Sequence, residues 1–375
     1  MEYTAEQRAI RETVREVAAE EIAPVAQETD REQAFPEEVW DVLADLGMTA
    51  MTVPEEYGGL DLEMVTYSIV NEEIARAILA VSTALSVHGL ATSCIAEFGD
   101  EDQKEAWLPD MAEGRPVGAF ALSEPEAGSN PREMTTEARR EGDEYIIDGT
   151  KQWITNGERS GVVILFAKTD REDPNSITQF LVPKDTAGLT VGKKEDKLGL
   201  RASDTTTLVF EDARIPAENR LTEEGRGLSA ALHILNGGRV GVASQAVGLA
   251  QAALDDAIAY ATEREQFGGR IADKQAIRHT IAEMRSRVAA ARRLAREAAR
   301  QADAGEDYRE MASIAKLFAS EAAVSVAEDA VQVHGGYGYT KDFDVERYYR
   351  DAKVMTIYEG TSEIQKDIIA RSLLD

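Results

Sequence analysis

Residues 353–366, KVMTIYEGTSEIQK, carry a glutamate whose setting invites chemistry. The apolar run of Val354, Met355, Ile357 and Tyr358 leads into Glu359, and Gly360, Thr361 and Ser362 follow. Glycine is the usual residue just past a helix end, where positive φ is needed. Ser362 with Gln365 three residues later has the form of a capping box for a new helix. Glu359 is therefore expected to close one helix and to face the gap before the next. A carboxylate at the end of an apolar run is partly desolvated, which raises its pKa and suits a general base. Spacing alone favours a solvated helix-terminal glutamate, so the rest of the chain has to decide.

Three other stretches are odd for pure scaffolding. AFALSEPEAGSN (119–130) is rich in small and hydroxyl residues, KQWITNG (151–157) puts an aromatic and a hydroxyl on a strand edge, and QVHGGYGYTKDFDVERYYRD (332–351) interrupts two helices with a glycine cluster. Backbone of this kind can approach a phosphate or a planar ring closely. Each stretch taken singly also reads as a tight turn. Familiar alternatives are missing. The four histidines are scattered without HExxH or cysteine partners, so no metal site is expected, and His88 and His334 read as structural. There is no GxGxxG after a strand, no GKS/T loop and no GxSxG elbow.

The elements that must position these stretches come in three blocks. Residues 1–117 read as helical, with Pro24 ending the first helix, a second over 35–48, a long apolar pair and one short helix before Val117. From 118 to 222 the texture is β, with strands in YIIDGTKQWITNG between turns at Asp148-Gly149 and Asn156-Gly157, and in VVILFAKT, ITQFLVP, GLTVGKK and TTTLVFEDARIP. No proline follows Pro216, and 223–375 reads as four or five long helices broken near Gly268-Gly269, Gly305 and Gly335–Gly338. The fold class is α+β and multidomain: an N-terminal all-α domain, a middle β-barrel or sandwich-like domain and a C-terminal four-helix bundle.

Composition bounds the function. The 375 residues carry 69 acidic against 41 basic side chains, a net charge of −28. Only 12 of the basic residues are lysines, the first being Lys104. Such a surface repels nucleic acid and anionic lipid, so neither is an expected partner. Its self-repulsion calls for screening cations, which favours a salt-adapted (halophilic) protein over an ordinary acidic one. No run of eighteen apolar residues and no targeting segment is visible, and the single Cys94 excludes an internal disulfide. A cytoplasmic enzyme is the expectation.

Six ordered motifs, ALSEPEAGSN, KQWITNG, NGGRVGVASQAVGLAQ, EREQFGGRIADKQAIR, QVHGGYGYTKDFDVERYYRD and YEGTSEIQ, make the chain similar from end to end to the acyl-CoA dehydrogenase family of flavoproteins. It most resembles the short- and medium-chain-type members. The resemblance implies FAD in a cleft between the β domain and the bundle, a homotetramer, and a flavin tail that reaches a neighbouring subunit. By position, Phe120, Leu122 and Ser123 would line the flavin ring, Ser129 would contact the pyrophosphate and lie near the substrate, Trp153 would stack near the ring and Thr155 would bond its reactive edge. Arg264, Phe267 and Gln275 would hold the FAD of the adjacent subunit, Gln332 and Gly336 would touch the adenosine part of a neighbour's cofactor, and Thr361 and Glu363 would sit near the FAD. Arg239, Tyr358 and Gly360 would face the acyl-CoA.

Glu359 matches the family's catalytic base. Some members carry that base just before the arginine equivalent to Arg239, where this chain has Gly238. The implied activity is dehydrogenation of a saturated acyl-CoA to the trans-2-enoyl-CoA, with electrons passed to an electron-transfer flavoprotein. An oxidase passing them to oxygen, and a non-catalytic FAD- or acyl-CoA-binding scaffold, are the alternatives. Two departures bear on substrate: Asn130 stands where the motif has Asp, and Glu133 where a small residue is usual. No arginine lies near Ser82 to pair a distal carboxylate, which argues against a dicarboxyl substrate.

Overall fold

A capping box opens the first helix. The Gln7 N–H donates to Thr4 Oγ1 and the Thr4 N–H to Gln7 Oε1, both at 3.1 Å, and α1 runs Ala5–Val17. The computed structural model describes residues 3–374. Pro24 does not end this helix, contrary to the reading above. A π-type turn over Ala18–Ile22 and a 3-10 turn over Ala23–Val25 lead on into α2 (Ala26–Glu32). The N–H that proline lacks is tolerated where the regular ladder has already given way. α3 (Glu37–Asp45) has Pro36 just outside its first turn, and Gly47 at φ 74 stops the chain behind it. The long apolar stretch is two helices as expected, α4 (Met64–Ala77) and α5 (Leu79–Phe98), broken where Ile78 is extended (φ −138, ψ 112). α5 is long and apolar enough to cross a bilayer, but it is mostly buried against α4, α7 and β1. α6 (Glu101–Ala112) closes this unit.

Seven strands then form one curled sheet: β1 (Gly118–Ala121), β2 (Glu137–Glu141), β3 (Glu144–Thr155), β4 (Val162–Lys168), β5 (Ile177–Pro183), β6 (Leu189–Lys194) and β7 (Thr205–Pro216). The order is β1-β4-β2-β3-β7-β6, with β5 antiparallel to β4 and β1 parallel to it. β4 is buried along its whole length, which is why VVILFAK is apolar without alternation. β1 and β2 had no clear signal in sequence. The expected turn at Asp148-Gly149 is also corrected, because both residues lie inside β3. A Cβ on Gly149 would come within 2.4 Å of Thr136 Oγ1, so this glycine serves close approach at a bulge. Asn156-Gly157 does turn, with Asn156 at φ 62.

The rest is helical: α7 (Gly227–Glu263), α8 (Gln275–Asp303), α9 (Arg309–His334), α10 (Val345–Val354) and α11 (Ser362–Leu374), with a two-residue hairpin pair, β8 (Glu265–Gln266) and β9 (Gly269–Arg270), after α7. The breaks fall at the glycines read from sequence, with Gly268, Gly305 and Gly335 all at positive φ. α7 packs on α4, α8 and α9, so the first and third blocks share one apolar core. Asp303, which ends α8, accepts the Val65 N–H at 3.0 Å and so caps α4 from across the core.

Two adjacent carboxylates anchor this junction. Glu72 accepts from Arg292 at 2.9 Å and Arg296 at 2.6 Å, and Glu73 from Arg11 at 2.6 Å and Arg15 at 2.8 Å. Both glutamates are buried, and removing Glu72 leaves the buried Arg296 guanidinium without its counter-ion. Glu72→Ala is expected to lower the free energy of unfolding by about 3 kcal/mol, read from the urea midpoint. A loss well under 1 kcal/mol would show the pair to be dispensable.

Candidate active site

Glu359 does not end a helix. α10 stops at Val354, and residues 355–360 form an irregular turn in which Glu359 (φ 51) and Gly360 (φ 93) are both left-handed. A non-glycine residue in that region is strained and has to be held by its surroundings. Gln365 is fully buried, and its Nε2 donates to the carbonyl oxygens of Glu359 at 3.2 Å and Gly360 at 3.0 Å. Lys316, also fully buried on α9, donates from Nζ to Gly360 O at 2.7 Å. The capping box read at Ser362 is therefore corrected. Thr361 Oγ1 caps α11 by accepting the Ile364 N–H at 3.3 Å, and the Gln365 amide is spent on the turn. Gly360 is needed for its φ and for Gln365, since a Cβ there would lie 2.5 Å from Gln365 Nε2.

Glu359 is half-buried, and its Oε2 is out of water without a hydrogen-bond partner. Burial pushes its pKa up to about 7, against the opposing pull of Lys316 and Arg239. It rests on α7. A Cβ at Gly238 would meet Oε2 at 2.3 Å and Leu90 Cδ2 at 3.3 Å, so a side chain there and this glutamate exclude each other. Arg239, the next residue, is buried and donates to Asn236 Oδ1 at 2.6 Å, while its Nε is unpaired. Its pKa is lowered by burial, with Glu359 acting in the other direction. Tyr358 donates to Gln245 Oε1 at 3.4 Å, and the Tyr67 and Ser86 hydroxyls meet at 3.2 Å. The hydroxyls of Tyr67 and Tyr358 are both pushed up in pKa by burial, and both sense Glu359.

A second group lies on the sheet. Phe120 is on β1 with Leu122 and Ser123 at its exit, all half-buried. The neighbouring β3 bulges between Lys151 and Ile154, and Trp153, at φ 64 and 59% exposed, turns outward with Thr155 beside it. The Gln152 N–H donates to Ser123 O at 2.9 Å and joins the two motifs. A buried ion pair beneath them went unread in sequence. Lys151 Nζ donates to Glu124 Oε1 at 2.7 Å and to Leu122 O at 3.1 Å, and Glu124 also accepts the N–H groups of Thr135 and Thr136. Burial would raise the Glu124 carboxyl, but Lys151 and these donors outweigh it and hold it down at about 2. Ser129 is exposed on the same loop, and the two unusual residues there pair with each other, Asn130 Nδ2 donating to Glu133 Oε1 at 3.3 Å.

Arg264, Gly336 and Tyr337 line an open pocket of about 490 Å³ with Tyr260, His334 and Thr340. The Arg264 guanidinium lies 5.5 Å from the Tyr337 ring centroid. Phe267, 94% exposed at the tip of the β8–β9 hairpin, Gln275 at the start of α8, and Gln332 on α9 are exposed and do not line that pocket. Thr361 lies beside Glu363, whose exposed carboxyl is held below its usual range by its own N–H and the Thr361 hydroxyl. His88 is structural as read: it accepts the Gly118 N–H at Nδ1, and its Nε2 meets Met111 O. An outward tryptophan on a strained bulge and an arginine–glycine pocket fit a planar ring system with an anionic tail, as FAD requires.

Comparison with known proteins agrees. The acyl-CoA dehydrogenase N-terminal, middle and C-terminal domain models match residues 4–115, 119–213 and 225–374. The mitochondrial short-chain specific acyl-CoA dehydrogenase of Mus musculus is 46% identical over 367 residues, 97% of this chain and 89% of that protein. The structure of butyryl-CoA dehydrogenase from Megasphaera elsdenii superposes with a TM-score of 0.97 at 39% identity, covering 100% of both chains. A chain from the work on the electron transferring flavoprotein of Acidaminococcus fermentans and flavin-based electron bifurcation gives 0.98 at 40% identity, covering 100% of this chain and 99% of that one. This chain belongs to the acyl-CoA dehydrogenase family and is an FAD-dependent enzyme of that family.

Proposed function

We propose that this chain takes the α-proton of a short saturated acyl-CoA onto Glu359 while the β-hydrogen leaves as hydride, giving the trans-2-enoyl-CoA. The observation that carries this is the unpartnered, buried Oε2 of Glu359, set against Gly238 with the carboxyl pKa pushed up to about 7. A thioester α-proton is weakly acidic, so its base needs a dry setting and a pKa near the working pH. FAD, when bound, supplies the two-electron acceptor for the hydride. The protein's share is position and field. The strained turn presents Glu359, Arg239 places positive charge beside it, and buried Tyr67 and Leu90 with half-buried Tyr358 keep water away. Phe120, Leu122, Ser123, Trp153 and Thr155 would hold the flavin ring, and Ser129, Thr361 and Glu363 would lie along its edge. Arg264, Phe267, Gln275, Gln332 and Gly336 would hold the tail of a neighbour's cofactor in a homotetramer. Exposed Phe267 and Tyr339, 94% and 89%, support such a contact. Similarity to the chain studied with an electron transferring flavoprotein supports that partner over oxygen.

Short-chain selectivity rests on the wall behind Glu359. Asn71, Ser82 and Gln245 are buried in one network, with Gln245 Nε2 donating to Asn71 Oδ1 at 3.3 Å and to Ser82 O at 3.1 Å. Tyr67 stands against Gly241, where a Cβ would lie 3.0 Å from the tyrosine oxygen. A long chain would have to unpair these groups, which is costly when they are buried.

Glu359→Gln is expected to bind FAD normally and to show little or no flavin bleaching with butyryl-CoA; full bleaching would remove Glu359 from this role. Across a butyryl-to-palmitoyl panel, kcat/KM should fall by about 100-fold or more from the shortest to the longest chain. A flat profile would refute the wall. We also propose that the −28 charge reflects salt adaptation, so activity and tetramer should be lost on dilution into low salt and restored by KCl. Unchanged behaviour without salt would count against it.

A further inference from the structure

Two lysines in this chain have no exposed surface, and their surroundings differ. Lys151 is neutralised by Glu124 at 2.7 Å. Lys316 sits on the buried face of α9 between Ala312, Ala315, Ala319 and Ser320. Among the described residues no carboxylate oxygen lies within ion-pair distance of its Nζ, and its hydrogen bond goes to the Gly360 carbonyl. A buried ammonium without a counter-ion is costly, and a polar residue of leucine's size would satisfy one carbonyl without that cost. The position of this charge points to a use for it.

We propose that Lys316 is a positioning residue for the dehydrogenation, fixing the left-handed Glu359-Gly360 turn through the Gly360 carbonyl and keeping Glu359 ionised by an ammonium placed near the carboxylate but out of contact with it. This rests on Glu359 being the base. The two parts need each other. Direct contact would form an ion pair and take away the basicity that burial confers, whereas no cation at all would leave the carboxyl protonated at neutral pH. Holding the carbonyl keeps Nζ on the backbone of the turn, while Oε2 stays buried against Gly238 without a partner. The same carbonyl oxygen takes the neutral Gln365 amide at 3.0 Å, so the turn has one charged and one uncharged anchor.

The groups that face this pair come from every neighbouring element. They are Arg239 on α7, Tyr67 on α4, Tyr358 in the turn itself, Glu363 on α11 and Tyr308 just before α9, which senses Arg239. Arg239 and Lys316 both favour the carboxylate, but only Lys316 also holds the backbone that carries it. Burial draws Lys316 down to about 8 and Glu359 up to about 7. The sign follows directly. The base form of Glu359 is present above about 7, so the acid limb of kcat/KM rises through that pH. Lys316 loses its charge, though not its N–H donors, as pH rises through about 8.

The test compares the FAD-loaded enzyme with Lys316→Met, Lys316→Gln and Gln365→Met, using butyryl-CoA. Lys316→Met removes charge and donor, and Lys316→Gln removes the charge but keeps a donor, so either one that folds reports on the charge. Both should move the acid limb upward by about 1 pH unit, cutting kcat/KM about tenfold at pH 6.5 with full activity regained at higher pH in Lys316→Gln. Gln365→Met should lower kcat at every pH and leave the limb in place. An unmoved limb in a folded Lys316 variant with normal FAD content would overturn the proposal, and so would an equal shift in Gln365→Met. Failure of the base assignment itself is read separately, by activity in Glu359→Gln. Independently of turnover, the carboxyl band that isotope-edited infrared spectroscopy assigns to Glu359, by its absence in Glu359→Gln, should titrate higher in the Lys316 variants.

Discussion

A carboxylate oxygen kept from water and left unpaired is among the least comfortable groups a protein can contain, and much of this fold holds Glu359 in that condition. Its own segment cannot do so. The turn at 355–360 is irregular, and two consecutive left-handed residues have no ladder to lean on. The anchors come from three helices. α9 supplies Lys316, α11 supplies Gln365, and α7 supplies a glycine whose missing side chain is the space the carboxylate occupies. α4 and α5 then close the far side with Tyr67, Ser86 and Leu90. Those helices are fixed to the bundle by paired charges and by the cap that Asp303 places on α4.

The two sides of the site are built on different physics. On the helical side, a glutamate is held by burial beside cations that it does not touch. On the sheet side, a strained bulge exposes an aromatic ring, and a tightly closed ion pair secures the loop beneath it. Glu124 and Lys151 touch and hold each other in the charged state, whereas Glu359 and Lys316 are kept from touching. Contact gives rigidity, and separation preserves reactivity.

The order of the three blocks, most strands and the helix breaks could be read from the chain because each depends on local chemistry: period, turn glycines and β-branched runs. Glu359 could be singled out, but from its own segment it looked like the end of a helix. The long-range facts were hidden. Thr4 and Gln7 form the box that local spacing describes, whereas Ser362 and Gln365 match the same pattern and do something else, since a buried carbonyl competes for the Gln365 amide. Gly149 looked like a turn because nothing in the sequence shows Thr136 pressed against it. One signal was available and went unused. In ASIAKLFAS, with so few lysines in the chain, Lys316 falls in phase with buried alanines, where an ordinary helix would place another apolar residue.

α7 deserves to be seen as a ruler. Arg239 stands beside the carboxylate, and Arg264, at the far end of the same uninterrupted rod, lines the open glycine-rich pocket. Twenty-five residues of helix separate them by about 37 Å, at a fixed angle of about 100° per residue. Loops of the sheet can lengthen without disturbing either end. One residue added or removed between those arginines would slide and rotate one against the other, and no neighbouring turn could take up the error. The distance between the buried carboxylate and the glycine-rich pocket is thus written into the length of a single helix.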